Sequence, residues 1–262
     1  FKKLYSDSQG RVFFSDGDEL YVFEPGKAEQ VFRRDKFILP VPACGKIYSI
    51  TEDSLTRKYW IGTDSGLVVF NSRSGRISYP GHNAEKEPLV DAFRHLRYVG
   101  YVFIDRRHRL WLSNWPPSVG AALLHCADLN RNTVVLASYS LMPVVNTYHE
   151  ILGLLEQNDG SLWIYGAPVL ARFDESRKMF EPVFNGYSNE YSISFDGVNQ
   201  LSEDREGSIW VATNNNGLYR FNPSQQSFRN IRVRNRFNGN PGDGSLLSFC
   251  EDRDGTVLAG AW

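Results

Sequence analysis

The sequence has no apolar run of about 18 or more residues, so no segment is expected to cross a membrane as a helix. No leader is expected either, since Phe1-Lys2-Lys3 opens directly into patterned sequence, and an excised or processed segment is the expectation. Charge of either sign is not in excess, with 29 Lys plus Arg against 30 Asp plus Glu, and this gives no global electrostatic case for nucleic acid or an anionic membrane. Cysteine is scarce. Cys44, Cys126 and Cys250 are odd in number and far apart, which excludes a disulfide framework or a thiolate metal cluster and leaves buried free thiols as the expectation. The five histidines include no pair at metal-ligand spacing, so neither a metal nor a cofactor is expected. No Asn-x-Ser/Thr acceptor with a permitted middle residue occurs, which removes one sign of eukaryotic secretion without bearing on bacterial export. Gly62-Thr63-Asp64-Ser65-Gly66 has the wrong order for a nucleophile elbow, and no triad accompanies it.

What the sequence does have is a repeat. Leu201 to Pro223 states it most fully: a turn at Glu203 to Gly207, a strand over Ser208 to Thr213, a second turn at Asn214 to Gly217 and a partner strand over Leu218 to Asn222. Both turns end at glycine, which adopts positive φ without a Cβ clash. Ile209, Val211 and Leu218 are candidates for an apolar face that one such unit cannot bury alone. An aromatic or aliphatic landmark follows the turn in every copy, at Phe13, Trp60, Trp111, Trp163, Trp210 and Leu258, with spacings of 47, 51, 52, 47 and 48 residues. Partner strands recur at Glu19 to Pro25, Gly66 to Asn71 and Val169 to Asp174, and outer strands at Arg76 to Tyr79 and Ser227 to Ile231. Four short strands in about 50 residues indicate an all-β fold, a β-propeller of four-stranded blades. The 262 residues are expected to form one domain over 1–262, with no second domain: five complete blades and a partial sixth, part of a longer propeller or an incomplete ring. Asn83 to Arg97 has room for one or two helical turns and reads as an insertion between the second and third blades.

Glu203 to Thr213, with Gly217-Leu218 and Phe221-Asn222-Pro223 after it, resembles the two-component regulator propeller repeat, which runs Asp-x-x-Gly-x-x-Trp-(Ile/Val)-(Gly/Ala)-Thr and then Gly-Leu and an Asn or Asp. Trp60-Ile61-Gly62-Thr63 with Gly66-Leu67 matches equally well, and Asn240 to Leu246 looks like the family's connector between blades. The resemblance implies the periplasmic sensor region of an inner-membrane hybrid two-component protein in Bacteroidetes-type bacteria. Its implied ligand is a glycan-derived oligosaccharide, and its implied partners are the remaining blades and the downstream signalling domains, ending in a histidine kinase that this chain does not contain. A homodimer is a further expectation, and nucleic acid is not. Two rival readings are a propeller enzyme, streptogramin-lyase-like or glycan-cleaving, and a protein-interaction or dimerisation scaffold.

The acidic pairs Glu203-Asp204 and Glu251-Asp252 superficially suit general acid/base work. Their place before the turn glycine, shared with Asp7, instead predicts that the Asp fixes its turn by accepting backbone N–H groups, and no catalytic residue is expected. The landmark tryptophans read as packing between blades. Ligand candidates are therefore the residues that break the repeat in loops at the mouth where inner strands begin: Trp115 in Ser113 to Pro117, Tyr165 beside Gly166-Ala167-Pro168, Tyr148 and His149 before Glu150, and Asn214 and Asn215 in the reference blade. Arg229, Arg232, Arg234 and Arg236, with Phe237 among them, read as a solvated outer face.

Overall fold

The structure, a computed structural model, describes residues 4–17, 19–23, 45–114, 124–131, 136–139, 150–183, 193, 195–223, 227–231 and 246–261. They fall into two compact units, Phe1–Ser140 and Leu141–Trp262. In the first unit, β1 (Tyr5–Ser6), β2 (Val12–Asp16) and β3 (Glu19–Phe23) form a three-stranded sheet. A five-stranded sheet follows, of β4 (Ile47–Asp53), β5 (Lys58–Thr63), β6 (Gly66–Asn71), β7 (Arg76–Tyr79) and β8 (His82–Asn83). After the helix α1 (Pro88–Ala92) comes a four-stranded sheet of β9 (Val99–Ile104), β10 (Arg109–Asn114), β11 (Leu124–Asp128) and β12 (Leu136–Tyr139). The second unit has β13 (Glu150–Glu156), β14 (Leu162–Ala167), β15 (Leu170–Asp174) and β16 (Met179–Pro182) in one sheet. The next holds β17 (Val198–Glu203), β18 (Ile209–Thr213), β19 (Leu218–Asn222) and β20 (Ser227–Ile231), and β21 (Leu246–Glu251) pairs with β22 (Val257–Ala261). Every sheet is an antiparallel meander in which sequence neighbours pair. The repeat therefore produces blades, with the expected four strands in the sheets of β9–β12, β13–β16 and β17–β20.

Alternate residues along a strand face opposite sides of the sheet, so within each unit a blade can bury a face against its neighbour. The landmark ring carries much of this burial. Phe13, Trp60, Trp111 and Trp163 are at most 3% exposed. Phe13 packs with Ile47, Tyr59 and Ile61 of the next blade. Trp60 packs with Val99, Val102 and Leu110 of the blade that follows it. Trp163 sits edge-on to Phe221, ring centroids 5.9 Å apart, within a cluster that includes Leu201 and Val211. A ring burying roughly 200 Å² contributes on the order of 5 kcal/mol before entropy is counted. Landmark packing between blades is thus observed for Phe13, Trp60 and Trp163. Trp210 is only partly buried, and Leu258 is 56% exposed. Cys126 is buried, as expected. Cys250 is exposed, a correction: it pairs with Leu258 in the two-stranded β21–β22 sheet, where this face has no covering layer among the described residues.

The insertion at Asn83 to Arg97 holds the single turn-and-a-half α1, as expected, but it does more than loop out. Leu89, Val90, Phe93 and Leu96 are buried in the same cluster as Trp60 and Leu110, so the insertion fills the space between the second and third blades. β8 adds a fifth strand that the sequence does not announce.

The turn between the first and second strands repeats in detail. In five of them the first residue donates its N–H to the residue four on and accepts from the residue three on: Asp7, Asp105, Gln157, Asp204 and Asp252. The fourth turn residue has positive φ each time, at Gly10, His108, Gly160, Gly207 and Gly255. His108 adopts φ 59° there without glycine's freedom, a conformation that costs on the order of 1 kcal/mol. Asp204 Oδ1 accepts the N–H groups of Glu206 (3.0 Å) and Ser208 (2.9 Å), while its Oδ2 accepts the Trp210 indole N–H at 2.9 Å. Asp105 does the same for Arg107, Arg109 and Trp111. Burial pushes the Asp204 carboxyl up, but the Ser208 N–H, the Trp210 indole and Arg220 outweigh it and hold it below the ordinary carboxylate range. The acidic pair is therefore divided: Asp204 fixes its own turn and ring, whereas Glu203 Oε2 accepts the N–H of Asn158 in the preceding blade at 2.7 Å. Glu52 does likewise for Ser8 at 2.8 Å.

Candidate functional site

The opposite end of each blade is where the first strand begins and the second strand turns into the third. Here β-bulges recur. Ile47 pairs with Thr63 but Ser49 with Gly62, so Tyr48 is left over; in the same way Gly100, Leu152, Asn199 and Leu247 are skipped in β9, β13, β17 and β21. The five positions are spaced by 52, 52, 47 and 48 residues, close to the landmark period. A bulge bends its strand and re-aims a side chain, which is why bulges gather beside binding sites. Five equivalent places thus carry Tyr, Gly, Leu, Asn and Leu. The signal in the sequence is faint, because an extra residue inside a short apolar strand leaves no turn-forming mark.

In the second unit this end carries a polar ledge. Thr213 Oγ1 donates to the Gly217 carbonyl at 2.7 Å and accepts the Asn216 N–H at 3.1 Å, which shapes the turn through Asn214, Asn215 and Asn216. Asn214 N–H reaches the Gly197 carbonyl at 2.9 Å, tying the turn to the start of β17. Asn215 Nδ2 donates to Asp196 Oδ2, and its Oδ1 accepts from Asn216 Nδ2 at 3.0 Å. Asn214, Asn215 and Asp196 are all exposed. The Asn214 amide makes no hydrogen bond among the described residues, and the bulged Asn199 is partly exposed on the adjoining strand. Asn215 and Asp196, held by one another, offer exposed donors and acceptors, the chemistry that reads hydroxyl groups.

Of the residues expected from the sequence, Asn214 and Asn215 come together at this ledge. Trp115, Tyr148 and His149 lie outside the described residues, as do Arg232, Arg234, Arg236 and the connector over 240–245. Tyr165 is placed differently from the expectation. It lies within β14, paired with Gly153 and Leu170, is 5% exposed and belongs to the cluster of Trp163, Leu170 and Val198. The reason is that β13–β14 pairing runs on to Glu150 and Ala167, which leaves Tyr165 inside the ladder and not in the loop. Among the described residues no group of three or more His, Cys, Asp or Glu side chains is arranged to hold a metal ion, and no helix is long and apolar enough to cross a membrane.

Residues 192–215 match the family described as Two component regulator propeller, so the reference blade is a repeat of that kind. The fold is shared with the extracellular domain of a hybrid two component system of B. thetaiotaomicron, at a TM-score of 0.66 and 19% identity over 99% of this chain and 30% of that one. A second such extracellular domain from B. thetaiotaomicron gives a TM-score of 0.59 and 15% identity, covering 99% and 38%. PorZ, a surface component of the type-IX secretion system of Porphyromonas gingivalis, gives 0.67 and 16%, covering 98% and 37%. No curated protein sequence matches the chain. The chain spans about a third of the length of these solved proteins.

Proposed function

We propose that this propeller is part of an extracytoplasmic sensor of the hybrid two-component type, and that it binds a glycan-derived oligosaccharide without altering it. The observation that carries the reading is the ledge of Asn214, Asn215 and Asp196, whose amide and carboxylate groups are exposed, with Asn215 held by its bonds to Asp196 and Asn216. Oligosaccharides are held by such planar polar groups together with aromatic faces. Trp115, Tyr148 and His149, which the repeat assigns to mouth loops, are the partners to test beside it. Support for the sensor class comes from the repeat match at 192–215 and from the fold shared with extracellular sensor domains. A periplasmic location, relay through further blades and downstream domains to a histidine kinase, and a homodimer as the signalling state belong to the same proposal. Of the carboxylates that suggested acid/base chemistry, Glu203 and Asp204 are occupied in inter-blade and turn hydrogen bonds, which favours binding over catalysis.

Glycan-array screening followed by titration calorimetry tests this. Asn215→Ala and Trp115→Ala are each expected to weaken the best oligosaccharide by about tenfold or more, the scale of one or two lost hydrogen bonds or a lost stacking face. An array with no bound glycan would overturn the reading, and a bound glycan indifferent to both substitutions would move the site elsewhere.

A further inference from the structure

The first unit builds a different surface at the equivalent end of its blades. The bulged Tyr48 and the ring of Tyr98 lie 4.6 Å apart, tilted at 39°, and both are partly exposed. Tyr98 comes from the segment leading into β9, two residues before the bulged Gly100. A Cβ on Gly100 would stand 3.3 Å from Tyr98 Cε1, so the missing side chain lets the Tyr98 ring lie against the β9 backbone and reach Tyr48. Lys46 Nζ stands 5.7 Å from the centre of the Tyr48 ring; it is exposed and has no ion pair among the described residues. Asp64, on the neighbouring turn, accepts the Lys46 N–H at 3.0 Å and the Ser65 hydroxyl at 3.3 Å. Its charge is thus engaged by the turn. Arg97, next to Tyr98, is also exposed. Tyr48 also lines a mostly apolar groove with Tyr5, Phe14, Leu20, Ile50 and Tyr101, in which the Ser49 hydroxyl is buried with no partner among the described residues.

Two aromatic rings with an ammonium over one of them make a surface for a ring that is apolar on its faces and negative at its rim. We infer that Tyr48, Tyr98 and Lys46 form a subsite for a sugar residue bearing a carboxylate, a uronic acid. The rings stack on the C–H face of the sugar, and Lys46 donates a charge-assisted hydrogen bond to the carboxylate. This rests on the reading of the chain as an oligosaccharide sensor and narrows its ligand class.

The test is titration calorimetry of the full chain with an oligogalacturonate and with its methyl-esterified counterpart, which keeps the rings and removes the charge. The acid form is expected to bind at least tenfold tighter than the ester. Lys46→Met should erase that difference, while Tyr98→Ala should weaken both forms, with unfolding midpoints of both variants close to the parent's. Equal affinity for acid and ester, or a Lys46→Met protein that still prefers the acid, would overturn the inference. Binding of neutral glycans that depends on Asn215 and ignores Lys46 would overturn it while leaving the sensor reading standing; failure to bind any glycan would overturn both.

Discussion

At one end of three of the blades, the turn between the first and second strands repeats its hydrogen bonds nearly atom for atom, at Asp7, Asp105 and Asp204. At the other end the bulges repeat in backbone only, and their side chains run Tyr48, Gly100, Leu152, Asn199 and Leu247. The difference has a physical cause. The turn end must satisfy buried backbone groups and a tryptophan N–H, and few residues do both, so its residue types are tightly constrained. The bulge end leaves a side chain half-exposed, where exchanging one residue for another costs little stability. Structure is therefore fixed at one end, and recognition has freedom at the other.

The comparison breaks first at Asp204. Replacing it with alanine removes acceptors for Glu206 N–H, Ser208 N–H, the Trp210 indole and the Arg220 guanidinium in one step. Denaturant unfolding should show a loss of about 3 kcal/mol, in keeping with a buried carboxylate whose partners are left unpaired. Asn215→Ala, at the bulge end of the same blade, should stay within about 0.5 kcal/mol of the parent. If the two variants lose similar stability, the division between the ends fails.

Most of the turn end is legible in the sequence. The landmark spacing, the strands at Arg76–Tyr79 and Leu218–Asn222 and the turn role of Asp204 all follow from turn residues and apolar alternation. The mouth is much less so. Asn214 and Asn215 are visible as turn residues, but the bulge at Tyr48 is one extra residue in a run of β-formers, and its approach to Tyr98 depends on a strand 50 residues away in the chain. Tyr165 is misread for a related reason: the sequence marks the Gly166 to Pro168 turn, whereas the ladder extends into it and keeps the ring inside. The second role of Glu203 is equally hidden, since its partner Asn158 belongs to another blade.

The second blade sharpens the comparison by departing from its own end's rule. Asp53 precedes Trp60 by seven residues where Asp105 precedes Trp111 by six, and Asp53 Oδ2 is taken by Thr56 Oγ1. Trp60 Nε1 is consequently buried without a partner among the described residues. Trp111→Phe abandons a 2.8 Å bond to Asp105, whereas Trp60→Phe removes an N–H that has nothing to lose. Both rings are at most 1% exposed, so the loss of packing is similar and cancels in the difference. Trp111→Phe should cost about 1–2 kcal/mol more than Trp60→Phe, measured by parallel urea unfolding.

The smallest effect separates the charge of the turn carboxylate from its geometry. Asp204 is held below the ordinary carboxylate range, so the folded state keeps it ionised at a pH where the unfolded chain has begun to bind a proton. A depressed folded value contributes stability that is complete above the unfolded value and is lost as pH falls through the folded one. Stability should thus decline as the pH drops below about 5, through and beyond the normal carboxylate range near 4. Asp204→Asn keeps an acceptor for the turn N–H groups but cannot titrate, so its decline over that interval should be shallower than the parent's, with the gap between the two proteins widest near neutrality. Asp7, whose carboxyl is lowered despite burial by bonds from Arg11 and Gln9, should behave in the same way in the first unit. Parallel slopes for parent and Asn variants would show that these carboxylates hold their turns by shape alone, and that the uniform end of the blade owes nothing to charge.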